Sequence, residues 1–323
     1  MRYFKSVRFL NLTVIFLAAM TFLNSAHAEL KTASFDLRRA LPNNSTPPER
    51  KTPLNILPAL NKNEGIIRRV KISDDNLKVV ALTFDMCELD TVTTGCDIDS
   101  MNFLIENKIP ATLFIGGKWA RTHSRRVKEL MLENLFEFAN HNWSHGNCAL
   151  LSEKGLKAQI LWTQAQYELL REELEFENLN NNMQKVPVLF RLPYGRSSES
   201  ALKIIDELGL RVIQWDVAAE AGDNSNLKRA KSNAKKVVSM TKSGSILLFH
   251  ANLVPKGTVN LLRYVVEELQ AHDYKFVTVS ELLTLGEPEC VKDGYFSYKG
   301  DNKALDKKFG IDGTGRRYKF IGE

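Results

Sequence analysis

From Lys78 to Val279 the chain repeats one pattern, in which a short apolar run of strand length is followed by an amphipathic segment of helix length. Parallel strands need a crossover of a dozen or more residues, so this alternation points to β/α units rather than to an all-β or all-α fold. The runs are KVVALTF (78–84), ATLFIG (111–116), LFEFAN (135–140), VPVLFRL (186–192), RVIQWDV (211–217), SILLFH (245–250) and KFVTV (275–279). Helical patterns between them include LKAQILWTQAQYELLREELEF, TVNLLRYVVEELQAHD, and SESALKIIDELG with Ser198 as N-cap and Gly209 as stop. The order predicts a distorted or incomplete (β/α) barrel of about seven parallel strands, with an open doubly wound sheet as the alternative that strand counting leaves standing. In either architecture the active groups should gather where the strands end, on one face.

The flanks read differently. Arg2, Lys5 and Arg8 precede an apolar run from Phe9 to about Leu23, and SAHAEL then offers small residues at Ala26 and Ala28. This is the pattern of a secretory signal peptide over residues 1–28, and the run is too short, and too interrupted by Asn11 and Thr13, for a membrane span. Residues 29–76, with LPNNSTPPERKTP, read as a surface leader, residues 77–285 as the ordered domain, and residues 286–323 as a Gly- and Lys-rich extension. Cleavage would remove three basic residues from a chain of net charge +6, leaving an exported, periplasmic or secreted protein that is mildly basic. So small a surplus, with no dense Lys/Arg stripe, argues against nucleic acid, and no later run could span a membrane.

Five of the runs finish in a titratable or cationic residue: Asp85, His141, Arg191, Asp216 and His250. Strand ends lie at the surface, where one polar residue means little, but five on a common face define a candidate site. His141 and His145 stand four apart in NHNWSH, where a loop or helical turn can bring both onto one ion. In isolation such a pair is more often structural. With a carboxylate and a third histidine on other strand ends, the set supplies what a hydrolytic metal site needs: ligands, a base and an acid.

LTFD, NHNWSH, RLPYG, QWDV and GSILLFH, in this order, resemble the motifs of the polysaccharide deacetylases of the NodB-homology type, carbohydrate esterase family 4. The resemblance covers roughly residues 70–285 and ends in YKFVTVSELL. It implies that Asp85 is the general base, that His141 and His145 hold a divalent metal, zinc above others, and that Arg191 orients the base. It further implies that the Tyr194 backbone N–H helps to hold the oxyanion and that His250 is the general acid. The substrate expected is an acetylated glycan of the GlcNAc type, such as peptidoglycan, a chitin-like oligomer or an exopolysaccharide. An O-acetyl esterase on the same site and a catalytically impaired glycan-binding module are the alternatives. A metal phosphohydrolase would want a phosphate-cradling Gly-rich loop, which the sequence does not offer.

The sequence departs from the family in two places. The first motif commonly continues with a second Asp as third metal ligand, and Met86 stands there, a soft and neutral donor. Glu88, Asp90, Asp97 and Asp99 follow, and Glu88 or a water is the favoured substitute; Asp85 itself, or loss of the metal, are the other outcomes. In WDVAAEAGD the acid that in the family braces the arginine falls to Glu220, Asp216 or Asp223. Members with FD-x-C in the first motif share these features, including an Asn soon after the last histidine, as Asn252 is here. Cys87 and Cys148 flank the site, so a Cys87 to Cys148 disulfide would join its loops; Cys87 to Cys96, or a thiolate on the metal, are the other readings. His123 and His272 lie in polar stretches and read as solvated.

Overall fold

The computed structural model describes residues 41–60, 65–176, 183–315, 320 and 322; the signal peptide read from residues 1–28, with His27, lies outside them. One curled sheet carries the fold. Its strands are β1 (Ile66–Ile72), β2 (Val79–Met86), β3 (Ala111–Ile115), β4 (Phe136–Asn140), β5 (Leu189–Phe190), β6 (Arg211–Ile213), β7 (Val217–Ala218), β8 (Ile246–His250), β9 (Lys275–Val277) and β10 (Gly286–Val291). They run in the order β10-β1-β6-β5-β4-β3-β2-β8-β7, with β9 on β2. All pairings are parallel except β1 with β10. The sheet curls far enough for the Val70 N–H in β1 to donate to the Gly244 carbonyl, just before β8, at 3.0 Å, and Arg69 bridges to Ser245. This is an incomplete parallel barrel.

Helices α1 (Ile98–Glu106), α2 (Gly117–Thr122), α3 (Ser124–Met131), α4 (Glu153–Phe176), α5 (Glu199–Glu207), α6 (Leu227–Met240), α7 (Thr258–Ala271) and α8 (Val279–Leu283) fill the crossovers, and α9 (Leu305–Phe309) lies in the extension. Ser198 caps α5, its hydroxyl accepting from the Ala201 N–H at 3.2 Å, and Gly209 follows it at φ 75°. Both are places where the sequence sets the boundary: a side-chain oxygen satisfies a first-turn donor, and a residue lacking Cβ takes the left-handed turn.

Strand alternation sorts the barrel. Ala81, Ile246, Leu248, Phe114, Ala139, Leu189 and Ile213 share one buried core, and successive residues of a strand face opposite sides. The columns Ala81, Thr83, Asp85 and Ile246, Leu248, His250 therefore run up the same interior face and end in the two titratable groups. Met86 shares the other face with Leu82 and Phe84, whose ring stacks on Phe249 at 5.4 Å. An apolar residue at position 86 is what that face requires.

Two boundaries differ from the sequence reading. The segment read as a leader contributes β1, and the extension contributes β10; the two form an antiparallel edge that neither motif nor helical crossover announces. Farther upstream, Arg50 and the backbone N–H groups of Leu54 and Asn55 converge on the buried carboxylate of Glu168 in α4. That strap is fixed by charge and hydrogen bonds rather than by a repeating pattern. RVIQWDV divides into β6 and β7, and VPVLFRL keeps two strand residues.

Gly244 closes the barrel at φ 84°, and a Cβ there would lie 1.7 Å from the Val70 carbonyl oxygen. Gly244→Ala is expected to destabilise the fold by more than ~1 kcal/mol. Thermal denaturation followed by circular dichroism should show a fall in Tm, and an unchanged Tm would mean that this seam is not under steric constraint.

Candidate active site

Parallel register levels the strand ends. Asp85 pairs with His250 and with Phe114, Ile115 pairs with Asn140, and Asn140 pairs with Phe190. Asp85, His141, Arg191 and His250 thus emerge from β2, β4, β5 and β8 on one rim. Asp216 does not join them. Its carboxylate accepts from the Ser245 hydroxyl at 2.7 Å and from the Ile246 N–H at 2.8 Å, at the opposite end of β8.

Arg191 is fully buried, and each of its contacts compensates that burial. Nη1 donates to Asp85 Oδ1 and to Thr83 Oγ1, both at 2.8 Å. Nε and Nη2 reach the carbonyls of Ile213 and Gln214, each at 3.3 Å, and the guanidinium lies 3.8 Å from the Phe114 ring centroid. Burial alone would raise the Asp85 carboxyl, but His141, Arg191 and His250 around it outweigh that and hold it below the usual carboxylate range. The acid expected to brace Arg191 does so from neither Asp216, Glu220 nor Asp223. Carbonyl oxygens of the β6 end occupy that side, and Asp223 is exposed and accepts from the Ser225 N–H.

Glu220 serves His250 instead. His250 Nδ1 donates to Glu220 Oε2 at 2.6 Å, and the Thr258 hydroxyl donates to Oε1. Burial pulls the imidazole downward, but the charge and hydrogen bond of Glu220, with Asp85 beyond, raise it above the ordinary histidine value. A carboxylate shifted toward its anion and an imidazole shifted toward its cation therefore stand on register partners of adjacent strands.

The NHNWSH loop brings the other two histidines together without a helical turn. Asn142 and His145 take left-handed backbone at φ 63° and 57°. The Asn140 side chain accepts from the Asn142 N–H, the Asn142 amide reaches the Gly146 carbonyl, and Gln159 of α4 clamps Ser144 from both its oxygen and its nitrogen. His141 and His145 end with ring centroids 4.8 Å apart. His141 Nδ1 donates to the Arg191 carbonyl at 2.9 Å, which leaves Nε2 with its lone pair outward, 3.3 Å from Asp85 Oδ2. Burial lowers both imidazoles, His145 more strongly because His141 adds its repulsion, so both are neutral near pH 7.

His141 Nε2 and His145 Nδ1 are buried and lack hydrogen-bond partners, which is costly unless an ion or water completes them. One further donor joins them. Cys87 Sγ and the two rings offer ligand atoms that all lie within 4.8 Å of one another. The residues present therefore fit a divalent metal. Glu88, the favoured third ligand on sequence grounds, is turned away: its carboxylate accepts from Lys118 Nζ at 2.7 Å, from the Thr122 hydroxyl at 3.0 Å and from the Thr94 N–H at 3.1 Å. A buried lysine needs that partner, so the acid is already committed. Asp97 caps α1 by accepting from the Ser100 N–H. The expected disulfide is also absent: none of the four cysteines is bridged, and burial pushes the Cys87 thiol well up. His123, read as solvated, is buried against Trp119, 4.0 Å from Glu88.

Tyr194 sits in a short 3-10 turn at φ 58°, with its ring edge-on to His145 at 4.3 Å between centroids. The extension supports it. The Asn302 amide donates to the Tyr194 carbonyl, Gly313 lies against the Tyr194 phenol, Asp306 pairs with Arg196 at 2.6 Å, and the Ile311 carbonyl accepts from the Asn147 N–H at 2.7 Å. Sequence reasoning missed this support because the tail carries no recurring pattern.

The family model described as polysaccharide deacetylase matches residues 73–213. A peptidoglycan-N-acetylglucosamine deacetylase of Bacillus cereus is 30% identical over 210 residues, covering 65% of this chain and 90% of that protein. A Listeria monocytogenes protein of the same name is 28% identical over 228 residues, 71% of this chain but 43% of its own length. A solved peptidoglycan N-acetylglucosamine deacetylase, in complex with a naphthalenyl N-oxidanyl-benzamide, matches with a TM-score of 0.54 at 24% identity over 69% of this chain and 94% of that one, a likeness of fold. The chain belongs to the polysaccharide deacetylase family.

Replacing Glu220 by Gln removes the charge that holds His250 protonated. The His250 pKa, read from its ring-proton NMR shifts, should then fall below the wild-type value, leaving it neutral at a pH where the wild type is imidazolium. An unchanged titration would detach Glu220 from that role.

Proposed function

We propose that this chain is an exported, metal-dependent carbohydrate deacetylase that hydrolyses N-acetyl groups on a GlcNAc-type glycan, peptidoglycan first among candidates. The observation that carries the reading is the register pair of Asp85 and His250, the carboxylate held by Arg191 and the imidazole by Glu220, with the paired rings of His141 and His145 beside them. The Bacillus and Listeria relatives, both described as peptidoglycan-N-acetylglucosamine deacetylases, support the choice of polymer. The signal-peptide pattern at residues 1–28 would carry the protein to that polymer.

A divalent ion held by His141 and His145 would polarise the acetamide carbonyl and acidify the attacking water. Asp85 takes the proton from that water, and Arg191 keeps the carboxylate ionised and aimed. The backbone N–H of Tyr194, in its left-handed turn, would meet the charge that builds on the carbonyl oxygen; one such donor is worth ~10²-fold or more in rate. His250 then gives its Nε2 proton to the departing amine while Glu220 holds Nδ1. The product is a free amine on the sugar and acetate.

Asp85→Asn should lower acetate release from N-acetylated glycan by ~10²- to 10⁴-fold. Wild-type protein that binds glycan yet releases no acetate, or an Asp85→Asn variant as active as wild type, would sink the assignment. Activity should rise with pH as Asp85 ionises, below the usual carboxylate range, and fall as His250 loses its proton, above the usual histidine value. In Glu220→Gln the alkaline limb should move to lower pH, which initial rates across a buffer series would record.

A further inference from the structure

We propose that Cys87 is the third protein ligand of the metal centre, binding as a thiolate, so that this chain holds its ion with sulfur and two imidazole nitrogens where its relatives use a carboxylate. The inference rests on the metal-dependent reading of the site given above, and goes beyond it to the donor set and the ion it selects.

Three observations converge on it. Cys87 Sγ and one nitrogen each of His141 and His145 fall within 4.8 Å of one another, wider than the ~3.5 Å edge of a tetrahedron built on Zn–S and Zn–N distances of ~2.3 and ~2.0 Å, so side-chain adjustment on binding would close the set around an ion. One nitrogen of each ring, His141 Nε2 and His145 Nδ1, is buried without a hydrogen-bond partner, so the two imidazoles beside the sulfur carry polar atoms that the protein itself leaves unsatisfied. The carboxylate nearest in sequence, Glu88, is locked to Lys118, Thr122 and the Thr94 N–H, and cannot serve both places.

The placement of the sulfur follows from the strand. Asp85 faces the barrel interior and Met86 the opposite side, so Cys87 is the next residue that alternation returns to the rim. Asn252 fixes it there. Its amide donates to the Cys87 carbonyl at 2.9 Å and lies 3.7 Å from Sγ, which ties the end of β2 to the loop after His250. No disulfide competes for the sulfur.

The chemical consequences are specific. On metal binding the thiol proton leaves to solvent and the sulfur takes up the ion, so loading releases a proton that a carboxylate site would not. A soft thiolate with two imidazoles favours zinc or cobalt over magnesium, calcium or manganese, which take oxygen donors. The thiolate also supplies the negative charge that Met86 does not, and leaves Asp85 for proton transfer.

Cobalt(II) loading of the full chain from residue 29 onward reads this directly. Wild-type protein should show thiolate-to-cobalt charge-transfer absorption in the near ultraviolet together with visible ligand-field bands. Cys87→Ser and Cys87→Asp should lose the charge-transfer band, and Cys87→Asp should keep the visible bands, which shows that the site still folds. Zinc affinity in Cys87→Ser, from competition with a chromophoric chelator, should fall by at least ~10- to 100-fold, the loss seen when even an outer-shell partner is removed. Visible bands that vanish in His141→Ala, with no charge-transfer band in wild type, would overturn the thiolate and leave the deacetylase reading intact. A charge-transfer band in zinc-competent protein that releases no acetate would leave the thiolate standing and remove the deacetylase. Wild type that binds neither cobalt nor zinc would overturn both.

Discussion

A guanidinium sealed from solvent determines how this site is built. Removing such a charge from water costs several kcal/mol after relaxation, and the cost is met only by good pairing. Arg191 obtains that pairing from Asp85 and Thr83 on β2 and from two carbonyls at the end of β6, across the barrel interior. Three strands are thereby held at one level, and its own carbonyl fixes the His141 ring. The arginine therefore orients the Asp85 carboxylate through its side chain and the His141 ring through its backbone. Substitution of Arg191 would remove the first contact and leave in place the main-chain carbonyl that makes the second.

Around that pair the electrostatics divide labour. Four titratable rings and carboxylates lie within a few residues of strand end, yet they are driven in different directions. Asp85 is shifted toward its anion by the cations around it, His141 and His145 toward the neutral form by burial, and His250 toward imidazolium by Glu220. Without Glu220, burial and the nearby guanidinium would push His250 the same way as the other two histidines. That carboxylate, with Asp85 beyond it, thus reverses the direction in which burial would shift the His250 imidazole.

The periodic parts of this arrangement were legible in the sequence, and the parts set by partner choice were not. Parallel β/α order, the rim of Asp85, His141, Arg191 and His250, and the Ser198 and Gly209 boundaries all follow from spacing, because strand and helix periods place side chains before any packing is known. Glu88 was favoured as a ligand because it is an acid close to Asp85, but Lys118, thirty residues on, claims it. Glu220 was considered for the arginine and pairs with the histidine, a choice that depends on how the segment after β7 turns. His123 looked solvated among polar neighbours, although the fold buries it beside the same Glu88. Strand β1 and the edge strand β10 escaped because they pair across more than two hundred residues, with no hairpin turn joining them to signal it.

The extension has the same character and reaches further into the site. Its residues lie beyond the stretch matched by the family model, yet Asn302 bonds the Tyr194 carbonyl and Gly313 packs on the Tyr194 ring. A non-glycine residue held at positive φ costs ~1 to 3 kcal/mol, and such a conformation persists only where its surroundings enforce it. For Tyr194 those surroundings come partly from the tail, through Asn302 and through the Asp306 pair with Arg196 two residues on. The turn that would present a backbone N–H to the developing oxyanion is thus braced from outside the barrel. The parallel sheet sets where Asp85, His250 and the paired histidines stand, and the tail helps to set the shape of the loop that faces them.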